Sequence, residues 1–571
     1  MKTTTKLFSF LALAALLLVA NAPAFGAANI VIVNRDGPNE GFNDPTPAAP
    51  VGGNPGTTKG QQRLIAFQYA ASIWGSILDS PVPIYVQATF DPLACTANAA
   101  TLGSAGAIQI FRDFPGREYD GIWYHVALAN KLAGADLAPG PNGTVNDDIV
   151  ARFNANLGNV GCLTGIGFYY GLDANHGTQV DLVTVLLHEF GHGLGFANFV
   201  TEATGAQPDG RSDIFATYTL DTTTGKHWPQ MTAAEIAASS INTNKVVWDG
   251  INVLAKAPSV LQIGSPLVTI NSPAGLGPYR FGAANFGPAV TLSGVTGNVV
   301  RAIDVAEPAV PPAAAGTTFD GCSPFTNAAA VAGQIAMVDR GLCGFAIKVK
   351  NAQDAGAIGV LVADNAPGSP AGGMTGVDPT ITIPSVRLSL PDANAVKAAL
   401  VSGPVNATIG LNPAVRAGAD PQGRVLLNAP NPVVAGSSIS HWDPIAAPNL
   451  LMEPAINADL THGVDLTRQE MTDIGWFSDG DGVPDGRDQC IGSSTSATVV
   501  IDGCNSGVTN TTFASGCRIS DQINDCAVGA SNHGGFVSCV AHLLNDLKKD
   551  GVISGSQKGA IQSCAGGASI P

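Results

Sequence analysis

The chain has 571 residues, a formal net charge of −16 and no block of basic residues. At roughly 150 residues per domain, that length argues for three or four domains rather than one core, and the charge excludes nucleic acid as an expected partner. Only 13% of residues are charged while Gly (68) and Pro (38) abound, which fits loop- and strand-rich extracellular architecture better than a helical bundle.

In chain order, Lys2 and Lys6 precede an apolar run over 7–20 and small residues at Ala22, Ala24, Gly26 and Ala27. This predicts a secretory signal peptide over 1–27, since the run is short of the ~20 apolar residues of a membrane span. A secreted protein with no integral membrane segment after signal removal is expected. Residues 29–33 read as a strand, 61–78 as a helix with Leu64, Ile65, Phe67, Ile73, Trp74 and Ile77 on one stripe, and 82–90, 148–153 and 166–170 as further strands. The order is that of an α+β domain. Thr178 is the expected N-cap of the next helix, with Asp181 three residues on to reach back. Leu182, Val183, Val185, Leu186 and Phe190 give that helix a broad apolar surface, and Gly193 and Gly195 end it.

That helix carries His188-Glu189-Phe190-Gly191-His192. Residues i and i+4 share a helical face, so His188 and His192 can converge on one ion. Neutral imidazole suits zinc, and two such ligands leave room for a third and a water. Glu189 would be the catalytic general base, taking the water's proton and passing it to the leaving amine. Asn198, Glu202, Asp213, His441 and His462 are the third-ligand candidates that the residues themselves leave open.

HEFGHGLGF resembles the metzincin metalloproteases, HExxHxxGxx followed by a third ligand, except that Asn198 stands in the usual third-ligand position. His441-Trp442-Asp443 followed by Leu451-Met452-Glu453-Pro454 resembles the corresponding segment of the leishmanolysin family, in which the third histidine follows a long insertion. The resemblance covers 28–254 and 412–476. It implies His441 as the third zinc ligand, Met452 as the methionine of the turn beneath the metal, Leu466, Met471, Ile474 and Trp476 as part of a closing helix, and a zinc endopeptidase acting on protein or peptide substrates.

Between the two halves, Gly333 to Gly341, Cys343, Phe345, Lys348, Asn351-Ala352, Ala355-Gly356-Ala357, Val360-Leu361-Val362 and Ile383-Pro384-Ser385-Val386 resemble a protease-associated (PA) domain, expected as a β-rich insertion over 264–411. That resemblance implies a Cys322–Cys343 bridge and either a docking surface or a passive lid. The ten cysteines, with no paired CxxC spacing, fall into three even groups: Cys95 and Cys162, Cys322 and Cys343, and six beyond residue 489. Disulfides within each group are expected.

Asp479-Gly480-Asp481-Gly482-Val483-Pro484-Asp485-Gly486-Arg487-Asp488 resembles one thrombospondin type 3 repeat, with Phe477 where a first Asp is expected. Carboxylates at such spacing wrap a hard cation, so Asp479, Asp481, Asp485 and Asp488 are calcium candidates. The domain reading is therefore 1–27 signal peptide, 28–263 and 412–476 protease halves, 264–411 PA insertion, 477–507 calcium segment and 508–571 Cys-rich unit. Two alternatives stand beside the endopeptidase: a secreted calcium-dependent binding or adhesion protein with a structural or inactive zinc site, and a zinc hydrolase acting on something other than peptides.

Overall fold

The structure is a computed structural model that describes residues 27–140, 146–309, 315–478, 481 and 483–570. Apart from Ala27, the expected signal peptide lies outside these residues, as does Asp479.

The first half is built on a four-stranded sheet. Its strands are β1 (Ile30–Asn34), β2 (Ile84–Asp91), β3 (Gly103–Ala107) and β4 (Ile149–Asn154), in the order β1-β2-β4-β3. The first three neighbours run parallel, and β3 pairs antiparallel with β4 as the edge strand. Ile84, Val86, Ala88 and Phe90 alternate inward along β2, the period-2 signature of a strand packed on one face. That face is covered by α1 (Lys59–Ile77) and α2 (Leu182–Leu194). Phe67, Ala70 and Trp74 form the buried stripe of α1, and Trp74 Nε1 donates to Leu187 O of α2 at 3.1 Å.

The N-cap of α2 is Asp181, not Thr178. The Asp181 side chain accepts from Val183 N at 2.8 Å and Thr184 N at 3.3 Å. Val180 and Asp181 pair in register with Phe168 and Tyr169, so this stretch is held extended until a stronger capping side chain than Thr is reached.

The insertion is a closed seven-stranded barrel with helices packed on it. Its strands are β5 (Ile263–Ser272), β6 (Tyr279–Ala283), β7 (Val295–Arg301), β8 (Ile335–Asp339), β9 (Gly359–Ala363), β10 (Ser385–Leu388) and β11 (Asn406–Arg416), closing in the order β5-β6-β10-β9-β8-β7-β11. Strands β7, β8, β9 and β10 run parallel. Parallel strands need crossovers, and the one from β8 to β9 contains α3 (Phe345–Asp354); α4 (Leu390–Ser402) lies between β10 and the antiparallel β11. Ile335 and Met337 face the barrel interior, while Ala336 and Val338 pack with Val349 and Ala352 of α3. Burial on both faces explains why these segments read as unbroken apolar runs.

After β11 the chain returns to the first half. Val425, Leu427, Trp442, Leu450 and Met452 join its core, as do Leu466, Met471, Ile474 and Trp476 around α5 (Thr467–Asp473). Residues 508–570 are mainly three helices, α6 (Ile519–Gly529), α7 (His533–Lys549) and α8 (Gly555–Gly567), preceded by a hairpin of β12 (Thr498–Ile501) and β13 (Cys504–Thr509). Phe536, Val540, Leu544 and Leu547 form the buried face of α7. Five disulfides close within the three cysteine groups: Cys95–Cys162, Cys322–Cys343, Cys490–Cys517, Cys504–Cys564 and Cys526–Cys539.

Candidate metal centre

Helix α2 is buried on almost every side, and its two histidines point the same way. His188 donates from Nδ1 to Leu451 O at 2.7 Å, and His192 from Nδ1 to Phe196 O at 2.8 Å. Each bond fixes the ring and leaves Nε2 as a bare lone pair, the arrangement that metal-bound histidines use. His192 Nε2 lies 3.1 Å from His188 Nε2, and His441 Nε2 lies 3.3 Å from the same atom. Three nitrogens ~2.0–2.1 Å from a tetrahedral ion stand about 3.3–3.4 Å apart, so this spacing fits zinc. Burial pushes the His188 and His192 imidazoles down to about 4 and about 3. They are therefore neutral near pH 7, as ligands must be.

Glu189 is 7% exposed, and burial raises its carboxyl to about 8, partly offset by the Ala105 backbone N–H on β3. It thus sits between the converging histidines and the edge strand. Met452 lies beneath the helix: a Cβ at Gly191 would meet Met452 Sδ at 2.9 Å. A glycine between the two histidines is what allows this approach. The Met452 carbonyl also accepts Trp442 N–H at 2.8 Å, so the Met452 turn and the His441 segment brace each other.

The other candidates stand elsewhere. Asn198 donates from Nδ2 to Ser440 Oγ (2.9 Å) and to Glu202 Oε1 (3.1 Å), and its backbone N–H reaches the same Ser440 Oγ at 3.1 Å. The usual third-ligand position thus fastens the residue before His441. Asp213 accepts Phe199 N and Ala216 N. His462 pairs with the cap Asp181 at 2.9 Å. The Asn198–Ser440 and His462–Asp181 contacts were not legible in the sequence, because each joins groups that only the fold brings together.

A second group of metal-type side chains, Glu307, Asp320 and Cys322, lies in the insertion, but Cys322 is disulfide-bonded and offers no thiolate. Asp481, Asp485 and Asp488 do not form an isolated loop. Asp485 is 1% exposed and its N–H points at Glu118 Oε1 of the first half (3.3 Å), while its carbonyl accepts Asn252 Nδ2 (3.0 Å). Asp481 and Asp488 turn back on Val483 N and Cys490 N. Burial and the charge of Glu118 raise the Asp485 carboxyl well above the usual range. Among the described residues no helix is long and apolar enough to cross a membrane.

Comparison with known proteins gives one family match: the PA-domain family fits residues 295–396. Two curated relatives are similar over short stretches. An ER degradation-enhancing alpha-mannosidase-like protein 3 of Xenopus laevis is 42% identical over 90 residues, 15% of this chain and 8% of that protein. Leucine aminopeptidase 2 of Trichophyton rubrum is 35% identical over 92 residues, 16% of this chain and 18% of that protein. Among solved structures, an aminopeptidase from Aneurinibacillus sp. strain AM-1 shares 18% identity at a TM-score of 0.19, covering 35% of this chain and 42% of that one. This chain spans under a fifth of either curated relative, and what these matches carry is that it contains a PA domain.

Proposed function

We propose that the protein is a secreted zinc endopeptidase of the leishmanolysin kind, with His188, His192 and His441 as zinc ligands and Glu189 as general base. The observation that carries this reading is the convergence of three Nε2 atoms from both sides of the insertion, beside a buried glutamate. Zinc bound there supplies Lewis acidity, polarising a scissile carbonyl and making water a nucleophile near neutral pH. Glu189 does the proton work: the positive charge of a bound zinc would draw its raised carboxyl back to the ionised form, and that carboxylate would accept the water proton and return it to the leaving amine. Buried Leu451 and Phe196 carbonyls keep both helix ligands in the tautomer that donates away from the metal.

Strand β3 supports a peptide substrate. It is the sheet edge and lies against the helix carrying Glu189, so an extended peptide can add to it as another strand. Strand addition of that kind positions a bond inside a chain rather than a terminal residue. The aminopeptidase names come from proteins that overlap this chain over a small share of its length, and they weigh little against that geometry. Incubating a denatured protein with wild type and Glu189→Gln, with and without chelator, tests the reading. Internal cleavage products lost on chelation and in Glu189→Gln are expected; stepwise release of N-terminal residues would replace the endopeptidase with an exopeptidase.

We further propose that Asp479, Asp481, Asp485 and Asp488 hold calcium. The support is a segment that places the buried Asp485 against Glu118, two acids whose mutual repulsion a hard cation relieves. Calcium should raise the melting temperature of wild type and not of Asp485→Asn in zinc-replete buffer; equal behaviour of the two would reject it.

A further inference from the structure

The insertion grips the catalytic half close to the third metal-facing histidine. Arg280 on β6 is 8% exposed, and its Nη1 donates to Asp443 Oδ2 at 2.6 Å and to Asn244 Oδ1 at 3.3 Å. Asp443 is 1% exposed and stands two residues after His441. Its Oδ1 accepts Ile445 N–H at 2.9 Å, and its own N–H goes to Leu426 O at 2.9 Å. Trp442, the residue between, is fully buried, and its ring lies 4.8 Å from that of Phe196. Phe196 in turn provides the carbonyl that orients His192. The segment bearing His441 is thus held at one end by Asn198 through Ser440 and at the other by a side chain of the PA domain.

We propose that Arg280 is a positioning residue of the zinc centre, through which docking of the inserted PA domain and metal binding support each other. This rests on the zinc reading above. A carboxylate as buried as that of Asp443 is tolerated only when paired. Without Arg280 it is left buried and unpaired and turns toward solvent, which shifts the backbone that carries His441. There is room for the shift: a cavity of ≈ 570 Å³ separates the two domains here, lined among others by Asn244, Tyr279, Arg280, Asp392 and Asp420. The coupling is reciprocal by linkage, so zinc removal loosens the β6 contact as loss of Arg280 loosens zinc.

The test measures zinc dissociation constants by chelator competition on the full chain, for wild type, Arg280→Met, Arg280→Lys and Arg301→Met. The last removes a different PA-domain ion pair, Arg301–Asp339 at 2.8 Å. Partners that orient metal ligands typically account for about 10–100-fold in affinity. Arg280→Met is expected to weaken zinc by that factor, Arg280→Lys to recover most of it because a single N–H reaches Asp443, and Arg301→Met to match wild type. Hydrogen exchange should show residues 440–445 losing protection in Arg280→Met, and residues 279–283 losing it in zinc-stripped wild type. Should Arg280→Met not fold, Asp443→Asn is read instead and is expected to weaken zinc likewise. Wild-type affinity in a folded Arg280→Met or Asp443→Asn, or an equal loss in Arg301→Met, overturns the proposal alone. A wild type that binds no zinc overturns the metal reading and this proposal with it.

Discussion

Zinc removal is the perturbation that most directly probes how the site is assembled. His188 and His441 are 253 residues apart in sequence, so an ion held by both ties the first half of the chain to the segment that follows the insertion. A ligand at ~1,000 times its dissociation constant stabilises the folded state by about 4.1 kcal/mol. For a unit of 150–250 residues, about 1 kcal/mol moves the midpoint by about 2–4 °C, so chelation should lower the transition of that unit by roughly 8–16 °C. Scanning calorimetry with and without chelator reads this. In His441→Ala the midpoints with and without chelator should nearly coincide, because two imidazoles leave zinc without its third protein ligand. In Asn198→Ala the shift should persist, because the residue 198 backbone N–H still holds Ser440 Oγ. Equal chelator shifts in wild type and His441→Ala, or a shift abolished in Asn198→Ala alone, would refute the assignment.

Glu189→Gln should keep zinc stoichiometry and lower turnover about 10²–10⁴-fold, the usual contribution of a general base; metal analysis beside a peptide assay checks both. Gly195→Ala should destabilise by about 1–3 kcal/mol in urea melts, because φ there is +149° and a Cβ would meet Ile474 Cδ1 at 2.3 Å. Adding Ile474→Val should relieve the clash and leave the backbone strain, so full rescue would show that φ does not matter. Burial lifts Asp473 to about 6 despite donors from Trp248 and Asn252. A raised acid stabilises fully below its unfolded value near ~3.9, and this is lost as pH climbs through about 6, which amounts to about 3 kcal/mol. Wild type minus Asp473→Asn should therefore slope downward from pH 4 to 7, and parallel curves would reject that shift.

Local pattern was enough for several elements. The i, i+4 spacing predicts one helical face for His188 and His192, and Leu182–Leu194 is a helix. The stripe containing Phe67 and Trp74 predicts a core-facing helix, and both residues are fully buried in α1. Thr178 misleads because capping rules see only neighbours, whereas pairing of Val180 and Asp181 with Phe168 and Tyr169 delays the helix. For His441 the pointer is resemblance rather than spacing, since nothing local distinguishes it from His462. What orients the site lay beyond any sequence rule. The Leu451 carbonyl on His188, the Ser440 hydroxyl on Asn198 and Arg280 on Asp443 join residues 263, 242 and 163 apart.

The glycines of α2 follow from the same crowding. A helix buried on nearly every side can bring a sheet, a methionine turn and a closing helix close together only where it lacks side chains. A Cβ at Gly191 would meet Met452 Sδ at 2.9 Å, one at Gly193 would meet Ile149 Cγ2 at 2.4 Å, and one at Gly195 would meet Ile474 Cδ1 at 2.3 Å. Each glycine thus admits a different layer: the turn after His441, the sheet, and the segment behind α5. Glycine weakens a helix interior by about 1 kcal/mol relative to alanine, so α2 depends on its packing for stability. Two of the three contacts come from residues that follow the insertion. The helix carrying His188 and Glu189 is therefore completed only when the chain returns from the PA domain, and a metal joining His192 to His441 closes the same gap in the fold that these glycines leave room to fill.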